Sequence, residues 1–350
     1  MLRPERKHEV VNNSNRACRT PPRPPTLREV AERANVHPST VSRVLRRPHH
    51  LDESPVSDRV RRAAAELGYK THLAAASLRT QRTMSLGVVL PRLVEPVLDI
   101  FEGIESAATA AGYSLLVAAP TDEVHAHRRS IDLLSRRNVD GVLICRPEAR
   151  NRIKLAEALE HLAPPVVQLG SSTLPGVPSV RDDHFHAGQL AGRHLRERGF
   201  VDVAIIGSGA EPHTRDLVAG LRAELETNCL RRPSTRITHW HCHARSVDDQ
   251  LVDRLATRPR PDAVLVTECD HVLPVITAAR RRKLRIPEDL AVISFGDSTL
   301  FPYLPTPLTS IRSATQAIGK AGVALLLRGI SGQHMISTDL PVDLVHRRST

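Results

Sequence analysis

The sequence predicts an α/β protein in two unlike parts, a small helical head followed by a long body of alternating strands and helices. Three observations carry that prediction. The chain has 350 residues, more than one ordinary core accommodates, so two or three domains are expected. Its formal charge of +11 is unevenly placed: residues 1–84 hold 17 Lys/Arg against 8 Asp/Glu, which leaves the rest nearly neutral. Beyond residue 85, short β-rich runs alternate with helical stretches, the pattern of parallel strands covered on both faces by helices. A basic head on a near-neutral body is the footprint of a nucleic-acid-binding module joined to something else. Aromatic residues, at 3%, are too few for the base-stacking platforms that bind single strands.

Residues 1–25 are rich in Pro, Arg and Asn and end in Pro21-Pro-Arg-Pro-Pro25, so they read as a disordered basic tail. From Thr26, Leu27, Val30 and Ala31, then Val36, Val41, Val44 and Leu45, recur at helical spacing in two segments broken at Ala34-Asn35-Val36. Asn35 tolerates the left-handed conformation that such a tight turn needs. Thr26 suits an N-cap, and Glu29 three residues on completes a capping box. Pro38 opens the second helix, where proline costs nothing. That helix buries Val41, Val44 and Leu45 and turns Ser39, Thr40, Ser42 and Arg43 outward, and Arg43 has the fork that reads guanine in the major groove. A third amphipathic helix is expected from Ser57 to Leu67, ended by Gly68.

In the body the expected strands are 86–90, 114–118, 141–145, 166–169, 203–206, 263–266 and 290–295. The expected helices are about 97–111, 124–137, 150–162, 185–198, 214–226, 247–256, 271–283 and 313–328. So many βα units make either one large doubly wound sheet or two smaller ones facing a cleft.

Composition removes several function classes. No apolar run is long enough to cross a bilayer and no signal-peptide core is present, so a cytoplasmic protein without membrane contact is expected. Five widely spaced cysteines, with no CxxC pair, indicate neither a disulfide framework nor a zinc ribbon. His239-Trp-His-Cys-His243 offers metal-ligand types on alternating strand positions, but no second ligand group at zinc spacing accompanies it, so no metal is assigned. Gly207-Ser-Gly209 lacks the third glycine and acidic partner of a dinucleotide loop. There is no nucleophile elbow, no Walker loop and no carboxylate pair with a plausible base, so neither an enzyme nor a cofactor is expected.

Thr26-Leu-Arg-Glu-Val-Ala-Glu-Arg-Ala-Asn-Val-His-Pro-Ser-Thr-Val-Ser-Arg-Val-Leu45 resembles the helix-turn-helix of the LacI/GalR (lac repressor-like) transcriptional regulators. The resemblance runs on through Arg59-Val-Arg-Arg-Ala-Ala-Ala-Glu-Leu-Gly-Tyr69 and through Ala75, Leu78, Arg79 and Thr83. It implies a helix-turn-helix DNA-binding domain at 26–69, a hinge helix and linker at 70–84, and a periplasmic-binding-protein-like effector-binding and dimerisation domain at 85–345. The residues assigned to DNA are Thr26, Arg28, Pro38, Ser39, Thr40, Ser42, Arg43 and Arg46, with Leu78 as the hinge leucine that wedges into the minor groove. Two departures bear on operator choice. Thr71-His72 replaces the family's usual Pro-Asn, and His37 stands where a serine commonly caps the recognition helix.

The body matches the family at Gly103-Ile-Glu, Asp140-Gly-Val-Leu-Ile, Val180-Arg-Asp-Asp, Ala187-Gly-Gln-Leu-Ala-Gly, Ile286-Pro-Glu-Asp-Leu and Pro307-Leu-Thr-Ser-Ile. This implies two doubly wound parallel-sheet subdomains, 85–182 with 313–335 and 183–312 with the last strand. Three crossovers join them, with a small molecule in the cleft between. The family's usual arginine falls on Leu217, its Asn-Asp on Cys269-Asp270, its aspartate pair on Gly296-Asp297, and its aromatic pair on Val97-Leu98. The polar effector contacts then expected are Arg146, Arg215, Asp270 and Asp297, with Trp240 as a stacking ring. The resemblance implies a repressor bound as a homodimer to an inverted-repeat operator in double-stranded DNA and modulated by a sugar or related metabolite. A dimer is expected because no leucine-heptad helix follows His346-Arg-Arg-Ser-Thr350. A sugar-receptor-like binding protein, or a regulator that has lost its effector response, are the alternatives.

Overall fold

The computed structural model describes residues 23, 25–46, 54–69, 82–90, 95–120, 124–145, 155–157, 159, 162–170, 174–207, 212–226, 236–241 and 249–350. The expected tail apart from residues 23 and 25, the hinge helix with Leu78, and Arg146, Cys242 and His243 lie outside them. Contacts divide the chain into two units, 1–76 and 77–350.

In the first unit, α1 (Leu27–Ala34), α2 (Pro38–Arg46) and α3 (Pro55–Glu66) enclose a core of Val30, Ala31, Ala34, Val41, Val44, Val60, Ala63 and Ala64. These small side chains let three short helices pack closely without one large aromatic at the centre. Arg33 of α1 donates to Glu66 of α3 at 2.8 Å. The third helix starts two residues earlier than its hydrophobic pattern suggests. Ser54 caps it by accepting from the Ser57 N–H, and Pro55 supplies a preset first φ. Gly68, at φ +65°, ends it as expected.

The second unit holds two six-stranded sheets. The first, in the order β11-β5-β4-β3-β1-β2, comprises β1 (Ser85–Val89), β2 (Ser114–Ala118), β3 (Gly141–Cys145), β4 (Val166–Leu169), β5 (Ser179–Asp182) and β11 (Thr338–Leu340). The second, in the order β12-β10-β9-β8-β6-β7, comprises β6 (Asp202–Gly207), β7 (Arg236–His241), β8 (Ala263–Val266), β9 (Ala291–Phe295), β10 (Thr309–Arg312) and β12 (Asp343–Val345). Two smaller sheets therefore form, and not one large one. The first reaches as far as β11, beyond the expected limit at residue 335.

Neighbouring strands are parallel except for β12, which pairs antiparallel with β10. The chain passes between sheets after β5, after β10 and after β11, each time from a strand's carboxyl end. Both sheets therefore aim their carboxyl ends at the crossover side, where open parallel sheets hold ligands. Only Pro341 and Val342 separate β11 from β12, so the last strand enters the second sheet from that same side and runs against it.

Helices cover both faces of each sheet. Helices α4 (Glu95–Ala110) and α10 (Thr315–Ile330) bury Ile100, Ile104, Ile318 and Leu326 on Leu86, Val88, Leu143 and Leu169. Helix α5 (Val124–Arg136) covers the other face, setting Ile131 and Leu134 against Val89, Val142 and Ile144. On the second sheet, α6 (His184–Glu197) and α7 (Pro212–Glu226) face Val203, Ile205, Leu265 and Ile293. There α8 (Asp249–Ala256) and α9 (Val272–Arg281) face Ala204, Ile206, Val264 and Val292. Strand parity sorts adjacent residues to opposite cores, which is why the buried strands read as unbroken apolar runs. Each sheet thus carries one intimate helix pair. A Cβ on Gly103 of α4 would overlap the Gln316 carbonyl of α10, and a Cβ on Gly188 of α6 would overlap the Leu217 carbonyl of α7.

Candidate functional site

In the head, the local sequence fixes the presentation of α2. The Thr26 hydroxyl accepts from the Glu29 N–H at 3.3 Å, and the Glu29 carboxylate accepts from the Thr26 N–H at 2.6 Å, so the capping box forms. Asn35 takes φ 49° and ψ 55°, the left-handed turn that redirects the chain into α2. His37 performs the capping task usually left to serine. Its Nδ1 accepts from the Ser39 N–H at 3.3 Å and lies 2.7 Å from the Ser39 hydroxyl. An imidazole nitrogen thus supplies an acceptor for one of the free donors at the start of α2.

Burial of Val41 and Val44 leaves Ser39 and Arg43 exposed, with Pro38, Thr40 and Ser42 half-buried beside them. Among the described residues Arg43 makes no ion pair. Arg28, on the exposed face of α1, is joined to Glu32 at 3.2 Å. Arg46 closes α2. Among the described side chains, the outward face of α2 therefore offers Arg43 as a long cation among short hydroxyls, a surface suited to reading base edges.

In the body, the crossovers are tied together by charge. Asp182 at the end of β5 accepts from the Ser313 hydroxyl at 2.7 Å and the Ala314 N–H at 3.3 Å, just past β10. Arg181 donates to Asp339 of β11 at 2.8 and 3.2 Å and lies 3.5 Å from Asp216 of α7.

The expected effector residues do not all face the cleft as free groups. Asp297 is already engaged within the chain. Its carboxylate accepts from Arg347 at 2.8 and 3.0 Å, from Arg312 at 3.0 and 3.2 Å and from the Ser310 hydroxyl at 2.7 Å. Burial pushes its pKa up, but the hydrogen bonds from Arg347, Ser310 and Arg312 outweigh burial and hold it at about 2. These bonds arise because β12 and the following residues return beside β10 and bring Arg347 under the turn that follows β9.

Trp240 is half-buried in the apolar layer with Leu251, Leu255 and Val275, and the Arg254 guanidinium lies 6.0 Å from its ring centre. Its strand position points it at α8, so packing accounts for its place. Cys269 tucks beneath the turn after β9, where its thiol donates to the carbonyls of Phe295 and Asp297 at 3.8 and 3.9 Å. Gly296, at φ +88°, leaves room for that sulfur. Leu217 is buried in the core between α6 and α7. Arg215 and Asp270 are exposed and are the expected effector residues left unengaged among those described. His239 is exposed on β7, and no group of three metal-ligating side chains occurs among the described residues.

Sequence reasoning missed Glu95, Ser298 and Thr299. Glu95 opens α4 on the first sheet, and its carboxylate accepts from the Ser298 hydroxyl at 2.6 Å. It also accepts from the Thr299 N–H at 2.9 Å and the Thr299 hydroxyl at 2.7 Å, both on the turn after β9 of the second sheet. No sequence signal marks residues about two hundred positions apart as partners.

Comparison with known proteins agrees with both parts. A family described as bacterial regulatory proteins, lacI family, matches residues 26–72, and the periplasmic binding protein-like domain matches residues 193–350. The chain thus joins a LacI-family head to a periplasmic-binding-protein-like body, the combination that LacI/GalR transcriptional regulators carry. The relatives it matches are transcriptional repressors and not enzymes, which supports a DNA-binding regulator. The HTH-type transcriptional repressor PurR of Salmonella arizonae is 26% identical over 329 residues, 93% of this chain and 96% of that protein. Among solved structures, the lac repressor dimer bound to operator and the anti-inducer ONPF is 26% identical, with a TM-score of 0.75 over 93% of this chain and 99% of that one. The transcriptional regulator CelR in complex with cellobiose is also 26% identical, with a TM-score of 0.67 over 93% of this chain and all of that one. Among the described residues, no helix is long and apolar enough to cross a membrane.

Proposed function

We propose that this protein is a repressor that binds an inverted-repeat operator as a homodimer, with one head on each half-site. The observation that carries this reading is the outward face of α2, where Arg43 stands exposed among Ser39, Thr40 and Ser42 over a helix capped and turned for presentation. Arg43 reads a guanine by its two-toothed fork, and the three hydroxyls contact base edges or phosphates. Thr26, Arg28, Pro38 and Arg46 position the head on the backbone, Arg28 after exchanging Glu32 for a phosphate oxygen. Leu78 enters the minor groove and kinks the duplex, as a wedge side chain does. The solved lac repressor dimer on its operator supports this assembly by analogy.

The effector is a small polar metabolite held between the two sheets at the carboxyl ends of their strands, with Arg146, Arg215 and Asp270 as polar contacts. Its binding shifts the population between two arrangements of the body and so changes operator affinity. The solved complex of CelR with cellobiose supports a sugar effector by analogy. A second reading, a regulator whose body no longer answers to an ordinary sugar, is favoured by the burial of Leu217 and by the ion pairs that occupy Asp297.

A binding selection from a random duplex library tests the regulator reading. Enrichment of one inverted repeat whose half-sites lie about one helical turn apart is the expected result. Recovery of sequences without symmetry would defeat it.

A further inference from the structure

Between the two sheets of the body, the described hydrogen bonds gather at the crossover strands, with one exception. Asp182 meets Ser313 and Ala314, and Arg181 meets Asp216, all beside the points where the chain passes across. Glu95 lies elsewhere. It is the first residue of α4, which packs on the first sheet, and its three donors belong to the turn after β9 of the second. The bonds are short, at 2.6 to 2.9 Å, and all three converge on one ionised group, the strong kind of hydrogen bond.

That turn is held from beneath. Asp297, next to Ser298, is gripped by Arg347 and Arg312, and the Cys269 thiol donates to the carbonyls on either side of Gly296. A continuous line of ion pairs and hydrogen bonds therefore runs from Arg347 after the last strand, through Asp297 and Ser298-Thr299, to Glu95 on the opposite sheet. Every atom in it belongs to the chain.

We propose that Glu95, Ser298 and Thr299 form a built-in latch that holds the two sheets of the body together, making the closed arrangement its resting state. Burial raises the Glu95 pKa, but the bonds from Ser298 and Thr299 outweigh both burial and the nearby charge of Asp297 and keep it below the ordinary 4.5. The carboxylate is thus ionised at neutral pH, and the latch is engaged there. An effector acts against this contact, by competing for the donors of the turn or by stabilising an arrangement in which Glu95 has left them. The effect on operator affinity rests on the regulator reading above, whereas closure itself does not.

Hydrogen exchange of the full-length protein without DNA tests the latch. Glu95→Ala is expected to speed exchange of residues 296–301 by about tenfold or more, and small-angle scattering should show a more open body. Thr299→Val, altered on the other side of the contact, should reproduce part of the effect, and combining the two should add nothing to Glu95→Ala alone. Unchanged exchange at 296–301 in Glu95→Ala, or faster exchange confined to the first turn of α4, would overturn the latch and leave Glu95 as a helix-end charge. A shift of operator affinity of fivefold or more in Glu95→Ala and Thr299→Val, in the same direction, supports its regulatory role. An open body with unchanged affinity would overturn that role, and a wild-type protein that binds no operator would instead defeat the regulator reading.

Discussion

The Arg347 guanidinium donates to both oxygens of the Asp297 carboxylate, at 2.8 Å to Oδ1 and 3.0 Å to Oδ2, with the two side chains 12% and 13% exposed. Breaking a buried pair by removing one partner costs about 3 to 5 kcal/mol when nothing remains to compensate. Arg312 remains here, so Arg347→Ala should cost near the bottom of that range, measured by urea unfolding. The carboxyl is held at about 2 against an ordinary 3.8. It therefore contributes stability above about pH 4, on the order of 2 kcal/mol, which is lost as pH falls from about 4 to about 2. Arg347→Ala should make that acid slope shallower.

His194 of α6 is buried, with its Nε2 2.7 Å from the Thr350 hydroxyl and the His346 ring 4.7 Å away. Burial, then the facing charges of His346 and Arg198, lower its pKa from 6.5 to about 4, with Glu197 opposing. The unfolded chain binds the proton more readily, so stability is full above about pH 6.5 and falls as pH drops toward 4. The loss should reach on the order of 2 kcal/mol by pH 5. His194→Gln keeps a partner for Thr350 and should flatten the unfolding midpoint between pH 7 and pH 5.

Gly188 and Leu217 define how closely α6 and α7 approach. Gly188→Ala places a methyl group on the Leu217 carbonyl, backbone against backbone, where no rotamer change relieves it. The expected cost is about 3 kcal/mol, at the upper end of overpacking losses, seen as a fall in thermal midpoint. Gly199→Ala is the contrast, since nothing lies within 4 Å of its Cβ and only the φ of +86° resists the change.

The ring nitrogen of His37 serves as the cap of α2. His37→Ala should destabilise the head by about 1 kcal/mol and weaken DNA binding, whereas His37→Ser should preserve both. Loss of DNA binding in His37→Ser with the head intact would show that the imidazole contacts DNA directly.

The head was legible in the sequence because its cues are local: Thr26 and Glu29 are three residues apart, and the Asn35 turn sits between two helical periods. Strands such as Gly141–Cys145 and Ala263–Val266 were legible because helices cover both faces and force unbroken apolar runs. Strands β5, β10 and β11 were not, since Ser179–Asp182, Thr309–Arg312 and Thr338–Leu340 carry polar residues that serve the crossovers. The cleft was the least legible part. Asp297 has the right type and place for a ligand contact, but its partner Arg347 lies 50 residues on, and the Glu95 contact spans more than 200. Only the folded chain reveals that such groups are already taken.

The most direct test of the head as the reader of the operator is a quantitative selection run in parallel on the wild-type protein and Arg43→Ala. The expected result is one inverted repeat for the wild type, with preference lost at a single symmetric G·C pair in the variant and affinity reduced by about 1 to 3 kcal/mol. An identical base preference in both proteins, or an asymmetric site, would contradict it.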